Sequence, residues 1–128
     1  MSSEFSASSD PAGMRILVVE DEVTISLLLE DMLLDLGCEV IGPVGRIALA
    51  QDLVATEAMD LAILDVNLAG EPIYPVADAL AAKGVPIVFS TGYGAAGIAE
   101  PYRDRPVLQK PFGQADLRRV LSSARGGA

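Results

Sequence analysis

The chain has 128 residues, 51% apolar and 21% charged, with 18 acidic side chains against 9 basic ones and no histidine. That length and apolar content suit one domain with a buried core, and a mean hydropathy of +0.40 excludes a mostly disordered chain. A formal net charge of −9 argues against direct contact with nucleic acid or an anionic membrane, and the lack of histidine excludes His-dependent triads and His-ligated zinc.

Residues 1–13 are rich in serine, contain Asp10-Pro11 and Gly13, and read as a flexible tail. They have neither the basic nor the apolar region of a signal peptide. Cys38 is the one cysteine and has no partner for an internal disulfide. No apolar run approaches the roughly 18 residues of a membrane span. The expectation is therefore a cytoplasmic chain, with Cys38 a small core residue.

Arg15–Glu20 is a short β-branched run that suits a buried strand. Glu22–Leu36 carries apolar residues at 25, 28, 29, 32 and 36, which is helical spacing, and Gly37 follows where a helix end favours a left-handed residue. Cys38–Pro43 reads as a second strand, Ile47–Thr56 as a second helix and Asp60–Val66 as a third strand. Pro75–Lys83 reads as a helix, with proline at its start and Gly84 just past its end. Pro86–Ser90 and Pro106–Gln109 supply the fourth and fifth strands, and Gln114–Ala124 a last helix with Leu117, Val120 and Leu121 on one face. Continuous apolar strands alternating with helices predict a five-stranded, doubly wound parallel α/β sheet.

Ligands of such sheets bind beyond the carboxyl ends of the strands. The first strand ends in Glu20-Asp21-Glu22, the third in Asp65 with Asn67 close behind, the fourth in Ser90-Thr91-Gly92 and the fifth in Lys110-Pro111. Carboxylates gathered on one edge repel each other unless a cation sits among them, and hard oxygen ligands suit Mg²⁺. Asp65 beside such a cation and a lysine is placed to attack a phosphoryl group. Thr91 and Lys110 are placed to bind its oxygens.

These residues resemble the receiver (CheY-like) domain of two-component response regulators, over about Met14 to Ala124. The resemblance implies Glu20 and Asp21 as the acidic pair, Asp65 as phosphoacceptor, Asn67 as the backbone carbonyl completing a Mg²⁺ site, Thr91 as the switch hydroxyl and Lys110 as the family's lysine. Glutamate at the first acidic position is longer than aspartate and would reach the metal through water. The Lys110-Pro111 peptide is typically cis in this family. A histidine kinase or histidine phosphotransfer protein would donate the phosphoryl group. The aspartyl phosphate, carrying about −1.5 to −2 charge, would draw in Thr91 and Lys110 and bias a surface between two states. The receiver would span 14–125, with 126–128 a short tail, and would stand alone without an output domain. It would signal by onward phosphotransfer or by binding an unknown downstream protein. Such a domain is a phosphoacceptor rather than an enzyme. The alternative is a degenerate receiver that binds partners without phosphorylation.

Other motifs fit less well. Gly92-Tyr93-Gly94-Ala95-Ala96-Gly97 spells a dinucleotide fingerprint, but Pro101 cuts off the helix that should follow and the strand is the fourth, not the first. A haloacid-dehalogenase-like phosphatase needs an aspartate where Asn67 stands. Three features depart from the receiver pattern. The stretch between Thr91 and Lys110, with Gly92, Gly94, Gly97, Pro101 and Pro106, predicts a short or irregular fourth helix. Val107 stands where many receivers carry an aromatic, which leaves Tyr93 and Tyr102 as stand-ins or as plain packing aromatics. The segment Phe89–Gly94 resembles an atypical alphaproteobacterial subgroup with a Phe-Ala-Thr-Gly type segment. Finally, the first helix is read with Ile25, Leu28, Leu29, Met32 and Leu36 as its core face. Val23 and Leu27 then lie opposite, near the site, as a partner-docking surface with Tyr93, or as ordinary exposed residues.

Overall fold

The computed structural model describes residues 11–92 and 97–126. Runs of Ile, Leu and Val build three strands that are almost wholly buried: β1 (Arg15–Val19), β3 (Leu61–Asp65) and β6 (Ile87–Thr91). Strands buried on both faces belong in the middle of a parallel sheet. They are flanked by β2 (Glu39–Val44) and β7 (Val107–Gln109), in the order β2-β1-β3-β6-β7 with every pairing parallel. The chain moves from β1 outward to β2, then returns past β1 to β3. This reversal opens a crevice beyond the carboxyl ends of β1 and β3, the usual place for a ligand in such sheets.

Alternation along the strands sends side chains to two cores. Leu17, Val19, Leu64 and Phe89 pack with α2 (Ile47–Thr56) and α3 (Tyr74–Ala82). Ile16, Val18, Ile63 and Val88 pack with α1 (Val23–Asp35) and α4 (Gln114–Gly126). The five-stranded α/β expectation is met. Between β6 and β7 the described residues form only a 3-10 turn, Glu100–Tyr102, as the glycines and prolines there predict. Among the described residues no helix is long and apolar enough to cross a membrane.

Three details differ from the sequence reading. The core face of α1 is centred on Leu29 and Leu33, with Leu36 just beyond, whereas Leu28 is 44% exposed. Six of the residues from 25 to 36 are leucines, so periodicity alone leaves the centre of the face open and the sheet contacts choose it. Second, residues 11–13, read as tail, are tied down. Pro11 is buried and accepts a hydrogen bond from the buried Cys38 thiol, and the Gly13 amide donates to Gly37 at 2.9 Å. Gly37 itself takes the expected left-handed conformation, φ 85°. Third, an unanticipated hairpin follows β3, with β4 (Asn67–Leu68) paired antiparallel to β5 (Glu71–Pro72). Its two linking residues, Ala69 and Gly70, both have positive φ, 52° and 86°, the signature of a tight hairpin turn that matches strand twist.

Candidate functional site

Each strand end delivers one piece of the site. β1 runs into Glu20, 4% exposed, and then Asp21, which is exposed. β3 ends in Asp65, 8% exposed, and β6 in Thr91, 4% exposed. Lys110 follows β7, and its backbone amide donates to the Thr91 carbonyl at 2.9 Å, fixing the two strand ends together. The Lys110-Pro111 peptide is cis, as the resemblance implies.

Lys110 is the hub. Its Nζ lies 3.1 Å from Glu20 Oε1, 3.5 Å from Asp65 Oδ2 and 3.9 Å from Glu22 Oε1. Backbone amides hold the carboxylates in place. Asn67 N–H donates to Asp65 Oδ1 at 3.3 Å, and Glu22 N–H to Glu20 Oε2 at 3.1 Å. Ala69 N–H donates to Asp21 Oδ2 at 3.0 Å, so the unforeseen hairpin orients a site carboxylate. Carboxylate oxygens of Glu20, Asp21 and Asp65 lie within 4.8 Å of one another. Asp65, Asn67, Thr91 and Lys110 line one open cleft.

The charges are unbalanced. Three carboxylates share one ammonium, and Glu22 adds a fourth at longer range. Burial and then the neighbouring Glu20 charge push the Asp65 carboxyl up to about 7, which Lys110 only partly offsets. Burial alone would lower the Lys110 pKa, but Glu20 and Asp65 together raise it above its ordinary value. Packed, hard oxygen donors with excess negative charge and an open mouth fit a small divalent cation.

Val23 and Leu27 are 72% and 55% exposed on α1, on the side away from its core face. Tyr93, the other residue of the expected docking surface, lies outside the described residues. Glu22, placed at the end of the first strand by the sequence but given no role there, faces Lys110, and one contributor escaped the sequence reading altogether. The Ala69 amide gave no sequence signal, because an alanine in a left-handed turn is not an expected choice.

No family model matches the chain. Solved structures do. The solution structure of SdrG from Sphingomonas melonis Fr1 is 44% identical, covers 88% of this chain and 96% of that one, and superposes with a TM-score of 0.80. The REC domain of the PhyR response regulator from Erythrobacter litoralis is 32% identical, with 88% and 90% of the two chains covered and a TM-score of 0.76. This chain belongs to the receiver-domain family of response regulators. A more distant receiver domain, that of the sensor histidine kinase PA1611 from Pseudomonas aeruginosa, is 27% identical over 90% of this chain and 99% of that one, at a TM-score of 0.74. It carries a magnesium ion coordinated in its active-site cleft. Among curated proteins, the transcriptional regulatory protein PdtaR of Mycobacterium tuberculosis is 34% identical over 107 residues, 80% of this chain. The receiver spans about half, 52%, of that relative's length.

Proposed function

We propose that this receiver accepts a phosphoryl group from a phosphohistidine onto Asp65, with Mg²⁺ held by Glu20, Asp21, Asp65 and the backbone carbonyl of Asn67. The observation that carries this reading is Asp65 itself. It is a nearly buried carboxylate 3.5 Å from a lysine, within reach of two further carboxylates, at the switch point of the sheet. A carboxylate oxygen of Asp65 forms the new O–P bond as the P–N bond to the donor imidazole breaks, and the imidazole leaves with the bonding electrons. Lys110 exchanges part of its pairing with Glu20 for the phosphoryl oxygens, and Thr91 donates its hydroxyl to another. A divalent cation held by these residues would supply positive charge to neutralise the phosphoryl oxygens. The magnesium-bearing PA1611 receiver supports the choice of metal. The donor is a histidine kinase or histidine phosphotransfer protein, and the output is onward transfer or a phosphorylation-dependent complex.

Intact mass after incubation with acetyl phosphate tests this directly. Wild type gains one phosphoryl group when Mg²⁺ is present and none with EDTA, while Asp65→Ala gains none. A wild type that stays unmodified with every donor, protein donors included, identifies a degenerate binding module instead.

The exposed face of α1 is the proposed docking surface for the donor. Val23 and Leu27 sit at the helix end nearest Glu20 and Asp21, where a phosphohistidine must approach. Leu27→Asp is expected to slow phosphotransfer from the cognate protein donor by about tenfold while leaving the acetyl phosphate rate unchanged. Equal slowing with both donors would place the defect in the site rather than in docking.

A further inference from the structure

Val107 stands three residues before Lys110, where many receivers carry an aromatic, and the structure buries a different aromatic in the core that Val107 packs against. Tyr102, at the end of the 3-10 turn, is 8% exposed. Its ring stacks on Tyr74 of α3, with centroids 5.9 Å apart and an interplanar angle of 10°. It also meets the edge of Phe89, at 5.6 Å and 61°. Val107 packs half-buried against this same cluster. The Tyr102 hydroxyl donates to Asp78 of α3, and the Arg105 guanidinium lies 5.4 Å over the ring. Upstream, the Ala99 amide donates to the Tyr74 hydroxyl at 2.7 Å, and Ile98 is buried. Residues 98–105 are therefore pinned to α3 chiefly by side chains, because a three-residue 3-10 turn has little backbone ladder of its own.

Phe89 and Thr91 lie two residues apart on β6, so their side chains leave the same face of the sheet. One anchor of the aromatic cluster is thus carried by the strand end that holds the switch hydroxyl. We propose that Tyr102 is a positioning residue that latches the 98–105 segment to α3 in the resting state, and that movement of Thr91 toward a phosphoryl group on Asp65 releases it. This rests on the phosphoacceptor reading above. It differs from it in what it requires, namely that contacts of Tyr102 are stronger at rest than after activation.

The sign of the effect follows. A ligand shifts a two-state equilibrium only by its differential affinity for the states. Weakening contacts made only at rest raises the competent fraction and tightens binding of anything that selects the active state. A residue that only packs, equally in both states, leaves that affinity unchanged.

Beryllofluoride, which gives an activated conformation of SdrG, is the probe. The full chain is titrated with it in the presence of Mg²⁺, with binding read from the ¹⁹F resonances of 3-fluorotyrosine at Tyr74 and Tyr93, the tyrosines common to wild type and every variant. Tyr102→Phe, which keeps the stack and loses the bond to Asp78, is expected to bind about threefold more tightly than wild type. Asp78→Ala removes the same bond from an exposed position and should match it. Tyr102→Leu should bind about tenfold more tightly. If Tyr102→Leu does not fold, the other two variants decide. Unchanged or weaker binding in folded Tyr102→Phe and Asp78→Ala, with wild type binding normally, overturns the latch and leaves the phosphoacceptor reading intact. Failure of wild type to bind beryllofluoride, or equal binding by Asp65→Ala, overturns both.

Discussion

Lys110→Ala is expected to melt about 10 °C below wild type at pH 8 in EDTA, and to recover most of that difference when Mg²⁺ is added. The lysine side chain is 17% exposed and the Glu20 side chain 2%, so their contact at 3.1 Å is a largely desolvated pair. Removing one member of such a pair strands the other charge, at a cost of about 3 kcal/mol. Here the stranded partners are Glu20 and Asp65 together, which already repel one another. For a domain of this size 1 kcal/mol corresponds to about 3–5 °C in Tm. The ordinary lysine pKa, and the still higher value in the fold, lie well above the assay pH. The stabilisation from Lys110 is therefore complete at pH 8 and is lost only under more alkaline conditions. A divalent cation among Glu20, Asp21 and Asp65 supplies the missing positive charge, which is why Mg²⁺ should stabilise the variant more than wild type. Phosphorylation by acetyl phosphate should still fall by about 100-fold, since the cation does not replace a donor aimed at the phosphoryl oxygens. Equal melting temperatures in EDTA would mean that the pair contributes nothing net. Thermal denaturation with and without Mg²⁺ reads the first effect, and intact mass against time the second.

Asp65→Asn is expected to act in the opposite direction, raising Tm by about 6–10 °C in EDTA at pH 8. Burial and Glu20 lift the Asp65 carboxyl to about 7, from an ordinary 3.8. A raised carboxyl pKa means that the folded protein binds the proton more tightly than the unfolded chain. Ionised Asp65 therefore costs stability. That cost is full above about pH 7, shrinks as pH falls, and vanishes below about pH 4, where both states are protonated. The full shift would correspond to about 4 kcal/mol. Because the carboxyl faces an open cleft, about 2 kcal/mol is the better expectation. The wild type should gain stability on acidification from pH 8 to pH 5, while Asp65→Asn lacks this component. Mg²⁺ should narrow the gap by stabilising wild type alone. A variant no more stable than wild type at pH 8 in EDTA would show that Lys110 already neutralises Asp65 fully. The destabilising carboxylate is the one assigned to chemistry, which is the usual trade between a strained site and a relaxed fold.

Much of this was legible in the sequence because it is local. The apolar runs at β1, β3 and β6 could be buried only by helices on both faces, so they specified a parallel sheet before any contact was known. Parallel strands all end on the same edge, so Glu20, Asp21, Asp65, Thr91 and Lys110 could be assigned to one site from their places at strand ends. The glycines and prolines after Thr91 likewise foretold the short, irregular structure that the described residues between β6 and β7 adopt.

What the sequence could not decide were choices between equivalent local options. In α1, leucine at 27, 28, 29, 33 and 34 satisfies several helical faces, and only packing against β1 and its neighbours selects Leu29 and Leu33. Tyr102 reads equally as a surface aromatic or a core one. Its burial depends on Tyr74 and Phe89, 28 and 13 residues earlier in the chain, arriving at the same place. The Ala69–Gly70 turn, and the amide it presents to Asp21, 48 residues away, exist because the hairpin closes over the site. The sequence determined which residues meet at the strand ends, through strand pattern and the shared direction of the strands. The tertiary structure decided how their charges balance and which aromatic packs against β6, because burial and distance between remote residues set both and neither has a local signature.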